Sequence, residues 1–67
     1  MPIINVKMTH EDGGATKEQK EQLAKDLTAA FVNIFGRGEK TCVVTIDEVS
    51  TDNYAIGGET ITNLREK

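Results

Sequence analysis

A chain of 67 residues has room for one compact unit (residues 1–67), and a single core of that size supplies only about 3–5 kcal/mol, so outside support is expected. One cysteine (Cys42) and one histidine (His10) exclude an internal disulfide and a Cys/His zinc cage, which leaves self-association as the support. A formal charge of −3, three aromatics without interleaved cations, no membrane-length apolar run and no signal-like start argue against nucleic-acid and membrane partners, so a soluble cytoplasmic protein is expected.

From Pro2 to Met8 the residues alternate, with Ile4, Val6 and Met8 on one face and Ile3, Asn5 and Lys7 on the other, which predicts a short strand. Thr9 to Ala15 (T-H-E-D-G-G-A) is polar, aperiodic and carries paired glycines, so it reads as a loop. Thr16 with Gln19 three residues on is a capping-box signature and starts a helix. Leu23, Leu27, Ala30, Phe31 and Ile34 form its apolar stripe, Glu21 and Lys25 are spaced for an i,i+4 ion pair, and Gly36 supplies the stop.

Arg37 to Thr41 is a short polar connection to a second strand, Cys42 to Val49, which is β-branched and alternates around Val44 and Ile46. Strand, helix and strand in this order predict a right-handed βαβ unit with parallel strands. Tyr54-Ala55-Ile56-Gly57-Gly58 reads as a tight hairpin corner, completing an α+β chain with a C-terminal hairpin. Two strands under one helix do not form an independently stable sheet. With Ile3, Val43, Thr45 and Val49 facing away from the helix, the outer face reads as an interface, and the sheet is expected to be completed by other copies of the chain.

No Ser/His/Asp or Cys/His constellation, metal-ligand spacing or phosphate loop is present, and no cofactor or metal is expected; Gly36 to Lys40 lacks the Walker spacing. Proline at position 2 stands out, because cytosolic aminopeptidases generally remove an initiator Met that precedes so small a residue. The freed Pro2 would be a secondary amine, with an α-amino reference pKa of about 7.7–8.0 that partial burial lowers. Such a group can take a proton from an enol hydroxyl and return it elsewhere along a conjugated system without metal or cofactor. Against this stands the plain alternative that Pro2 merely opens an edge strand, where no N–H is needed.

Pro2-Ile3-Ile4 opening a strand, Thr16-Lys17-Glu18-Gln19-Lys20 opening a helix, and Tyr54-Ala55-Ile56-Gly57-Gly58-Glu59 after the second strand resemble the 4-oxalocrotonate tautomerase family over nearly the whole chain. The T-H-E-D-G-G-A stretch is similar to the longer first loop of its DmpI-like members. The resemblance implies a βαβ subunit assembled as a homohexamer, and a keto–enol tautomerase acting on a small 2-oxo acid with the amino-terminal proline as proton shuttle. Pro2 matches that residue, and Tyr54 falls where the family carries a phenylalanine that walls the amine.

Two family arginines that hold substrate are missing: the corresponding positions fall at or near Ala15 and at Val43. The cations left are Lys7, Arg37, Lys40 and Arg65, of which Arg37 and Lys40 are the candidates to hold a carboxylate, weighed against ordinary solvated surface charges. Were the acidic first loop, Glu11 and Asp12, to lie over Pro2, it would raise the amine pKa and repel a dianion, so a monocarboxylate enol such as an arylenolpyruvate is expected to be a better substrate than 2-hydroxymuconate. His10 reads as a solvated loop residue, Cys42 as a small buried hydrophobe, and Asp47 and Glu48 as acids awaiting a neighbour. Two other functions stay open: a non-catalytic oligomeric binding module of the same fold, and a hydratase or dehalogenase-type activity at Pro2.

Overall fold

The computed structural model describes residues 1–11 and 13–66, so Asp12, one of the two loop acids, lies outside the described residues. Strand β1 (Ile3–Thr9) is followed by helix α1 (Lys17–Phe35) and strand β2 (Val43–Val49). β1 and β2 pair in parallel, in a register from Ile3↔Val43 to Thr9↔Val49. Alternation decides the faces: Ile4, Val6, Met8, Val44 and Ile46 are half-buried, whereas Ile3, Asn5, Lys7, Val43, Thr45 and Asp47 are exposed.

Helix α1 begins where its capping box requires. Thr16 Oγ1 accepts from the Gln19 amide at 3.0 Å while the Gln19 side chain accepts from the Thr16 amide at 2.9 Å. It ends at Gly36, whose left-handed φ of 68° lets its N–H reach the Val32 carbonyl. The helix packs against β2 through a face rotated from the expected stripe: Lys20, Leu23, Ala24, Leu27, Thr28, Phe31 and Val32 are half-buried, while Ala30 and Ile34 are exposed. The sheet below the helix is only two strands wide, so the margin of the apolar stripe overhangs it. Glu21 reaches back to Lys17, 3.9 Å away, rather than forward to Lys25.

Beyond β2 the chain forms a 3-10 turn (Thr51–Asn53) and an antiparallel hairpin of β3 (Ala55–Ile56) and β4 (Glu59–Thr60) closed by Gly57 and Gly58. A short helix α2 (Ile61–Arg65) follows, which the sequence reading did not include. Thr60 caps it by accepting from the Asn63 amide at 3.3 Å, and Thr62 Oγ1 sits 2.7 Å from Thr51 Oγ1, fastening the helix to the turn. The Ile61 amide donates to the Tyr54 carbonyl at 2.7 Å.

No described residue of the protomer is fully buried. Its radius of gyration is 15.3 Å, against about 11 Å for a compact chain of this length. Ile3 (73% exposed), Ile34 (76%) and Ile56 (59%) stand in solvent on three different elements. On the outer sheet face, Ile3 and Val43 make an apolar end, and beyond them Asn5 donates to Thr45 at 2.6 Å and to Asp47 at 3.0 Å.

Candidate active site at the Pro2 end of the sheet

The strands are parallel, so both begin at one end, and α1 returns the chain to that end. Pro2 is half-buried there, immediately before β1, and its carbonyl accepts the Val43 N–H at 2.9 Å. The connection between α1 and β2 rims the same end. Gly38 follows the helix stop by two residues, and a Cβ built on it would stand 3.1 Å from Cδ1 and Cε1 of Phe31 and 3.4 Å from Cγ of Pro2. Pro2 and Phe31 thus flank one glycine.

Arg37 lies beside this group. Its guanidinium carbon is 5.6 Å from the centroid of Phe31 and 5.8 Å from that of Phe35, and the two rings stack at 4.4 Å. Planar, aromatic-backed and without a carboxylate partner among the described residues, Arg37 keeps its donors available to an anion. Lys40, in the turn that leads into β2, is exposed and likewise has no ion-pair partner among the described residues. Cys42 is half-buried just ahead of the strand.

The structure does not bring Tyr54 to this group. It belongs to the segment rooted at the Thr9/Val49 end of the sheet, where it is 43% exposed. Seven residues of strand span about 20 Å, which separates the two ends. The first loop is at that far end too, so it does not overlie the Pro2 of its own protomer, contrary to the expectation built on its acidity. Glu11 is there paired with Arg65, at 2.7 Å. A hydrogen bond from Thr9, then Arg65, holds the Glu11 carboxyl below its ordinary value.

Glu48 organises the far end. Its Oε1 is 2.9 Å from Lys20 Nζ and its Oε2 2.7 Å from His10 Nδ1, and the Ala15 amide donates to Oε1 at 3.4 Å. The Lys20 hydrogen bond leads the influences that lower its pKa, against opposing desolvation. Gly14, at φ 84°, makes this possible, because a Cβ there would run into the His10 ring and the Glu48 carboxylate. Sequence reasoning left His10 and Glu48 without partners. Among the described residues no group of three or more His, Cys, Asp or Glu is placed to hold a metal ion, and no helix is long and apolar enough to cross a membrane.

Phe31 and Gly38 were not singled out from sequence as site residues. The one available signal was Gly38 itself, a second glycine placed two residues after the helix-ending Gly36 in a connection too short to need flexibility.

The parallel βαβ chain continued by a small hairpin has the architecture of a tautomerase-type subunit. The family described as "Tautomerase enzyme" matches residues 2–64, and the chain belongs to it. A probable tautomerase of Helicobacter pylori is 45% identical over 67 residues, covering 100% of this chain and 98% of the relative. The 2-hydroxymuconate tautomerase of Bacillus subtilis is 36% identical, covering 96% and 98%. The crystal structure of DmpI from Helicobacter pylori superposes with a TM-score of 0.85 at 42% identity, covering 98% of both chains.

Proposed function

We propose that this chain is a cofactor-free keto–enol tautomerase of a small 2-oxo acid, with the amine of Pro2, freed by removal of Met1, as base and then acid. The observation that carries this reading is the setting of Pro2: half-buried at the sheet end, flanking Gly38 together with Phe31, with Arg37 on the same aromatic group. Met1 is 81% exposed, open to an aminopeptidase. While Met1 remains, the Pro2 nitrogen is an amide without basicity.

Proton transfer balances within the substrate. The Pro2 nitrogen accepts the enol hydroxyl proton, the O–H bond electrons form the carbonyl as the double bond shifts, and the ammonium returns the proton to carbon, leaving the base as it began. Arg37, with Lys40 nearby, holds the carboxylate and draws on the developing enolate charge. The wall expected of Tyr54 is supplied by another protomer in a homo-oligomer, for which the family resemblance suggests a hexamer; exposed Ile3, Ile34 and Ile56 support such assembly.

With Ala15 and Val43 where the family carries its two arginines, a second carboxylate has no cation of its own. A second carboxylate drawn into the site unpaired loses its water at a cost of about 1–3 kcal/mol or more, so kcat/KM on an arylenolpyruvate should exceed that on 2-hydroxymuconate by about tenfold or more. The reverse ratio would refute the monocarboxylate preference. For the base, intact mass reports whether Met1 is gone, and ketonisation is then compared between the native protein and Pro2→Ala. Loss of most of the activity is expected; equal measurable rates would remove Pro2 from the mechanism, and no ketonisation above background in the native protein lacking Met1 would leave a binding module of the same fold.

A further inference from the structure

Around Gly38 the chain makes the tightest approach at the Pro2 end. Its φ is 98°, a conformation that L side chains rarely adopt. Its carbonyl accepts from the Thr41 and Cys42 amides at 3.2 and 2.9 Å, and the same turn delivers the Val43 N–H to the Pro2 carbonyl. The volume a side chain would fill is therefore partly taken by the Phe31 ring, 3.1 Å away, and is bounded at ordinary contact distance by Cγ of the pyrrolidine ring, 3.4 Å away. Phe31 is itself fixed from two other sides, by the Phe35 ring and by the Arg37 guanidinium.

We infer that Gly38 and Phe31 are positioning residues for the Pro2 amine: Gly38 leaves the space that the Phe31 ring occupies where the turn meets the pyrrolidine ring, and Phe31 supplies an apolar surface close to that ring from within the same protomer. The inference rests on the reading of Pro2 as the base. An aromatic ring close to the pyrrolidine would thin the water around its amine, which disfavours the ammonium form and leaves more free base near neutrality. Contact with the turn also fixes the direction of the nitrogen lone pair, and small errors in such alignment are costly in rate. This surface requires no other copy of the chain, unlike one built from Tyr54.

Alanine at position 38 would press on Phe31 at 3.1 Å and force the turn from its positive φ, and the Val43 hydrogen bond would carry that displacement to Pro2. Phe31→Leu keeps an apolar side chain but removes the ring, whereas Phe31→Tyr keeps it. The experiment uses full-length protein shown by mass to lack Met1, each variant checked for native assembly by size-exclusion chromatography. Phenylenolpyruvate ketonisation is followed as kcat and KM from about pH 5 to about pH 9.

Gly38→Ala and Phe31→Leu are expected to lose about tenfold in kcat with KM within about twofold, and their acid limb should move to higher pH, with Phe31→Tyr restoring the native profile. Native kcat and an unmoved acid limb in assembled Gly38→Ala and Phe31→Leu overturn the inference. Should Gly38→Ala fail to assemble, the two Phe31 variants decide by the same reading. A Pro2→Ala protein as active as native overturns the base assignment and this inference with it, whereas an inactive Pro2→Ala beside unchanged Gly38 and Phe31 variants overturns this inference alone.

Discussion

The two ends of the β1–β2 sheet are built from different materials. At the Pro2 end the contacts are rings and a glycine, namely Pro2, Phe31, Phe35 and Gly38, and the cations Arg37 and Lys40 lack carboxylate partners among the described residues. At the Thr9/Val49 end the contacts are ionic: Glu48 joins Lys20 and His10, and Glu11 joins Arg65. Charges already paired to one another hold a structure and have little left for a ligand. The contrast therefore leaves unpaired cations at one end, where we propose that the substrate anion is held, and makes the other end a clamp on the first loop and α2.

The contrast breaks most completely if the assembly that joins copies is removed. Ile34 at the end of α1 and Ile56 in the hairpin are both exposed in the protomer. Ile56→Asp, or Ile34→Asp, would set a carboxylate in an apolar contact, at a cost of several kcal/mol for an unpaired buried charge. Dissociation to the monomer and loss of nearly all activity are expected, read by light scattering and ketonisation on one sample. An unchanged assembly in both variants would place the interfaces elsewhere.

The next effect is confined to the Pro2 end. On the proposal that Arg37 holds the substrate carboxylate, Arg37→Ala should cost about 1.5–3 kcal/mol of transition-state binding, a fall of about 10- to 160-fold in kcat/KM. Lys40→Ala, acting as a point charge on a mobile stem, should cost less than about fivefold. A larger loss for Lys40→Ala than for Arg37→Ala would reverse the two assignments.

Those forecasts depend on features unequally visible in the sequence. The capping box of Thr16 and Gln19, the stop at Gly36 and the hairpin at Gly57 and Gly58 were legible because each is decided within a few residues. The parallel pairing followed from alternation and the single crossover helix. Which side of α1 lies on the sheet was not, because Ile34 and Val32 are equally apolar and only the position of β2 chooses between them. Pairs such as Glu11–Arg65 and His10–Glu48 join residues 54 and 38 positions apart, and no local pattern encodes them. Pro2 was legible as a candidate base, whereas Phe31 and Gly38 come near it only after the chain has folded back.

The clamp end gives a pH signature of known sign. Glu48 has its pKa lowered on folding, so its contribution is complete above the ordinary value of 4.5 and is lost as pH falls through the lower folded value. Thermal stability of the native protein should therefore drop below about pH 4.5. Glu48→Gln should flatten that part of the profile, while leaving the activity at neutral pH less affected than Arg37→Ala does. A native-like acid profile in Glu48→Gln would remove this carboxylate from the clamp.

Arg65→Ala should have the smallest effect, and its smallness is informative. The Arg65–Glu11 pair is geometrically close, but both side chains are substantially exposed, and exposed pairs are weakened by solvent screening and by the ordering of two mobile side chains. Glu11 keeps the hydrogen bond from Thr9, first among the influences lowering its pKa, so it does not become an unpartnered acid when Arg65 is lost. Thermal stability near the native value is expected, with kcat/KM on a monocarboxylate enol changed by less than about twofold. A large fall in kcat/KM with assembly intact would instead mean that Arg65 serves the Pro2 site of a neighbouring copy, and would move the anion-holding role from the Pro2 end of one protomer to the clamp end of the next.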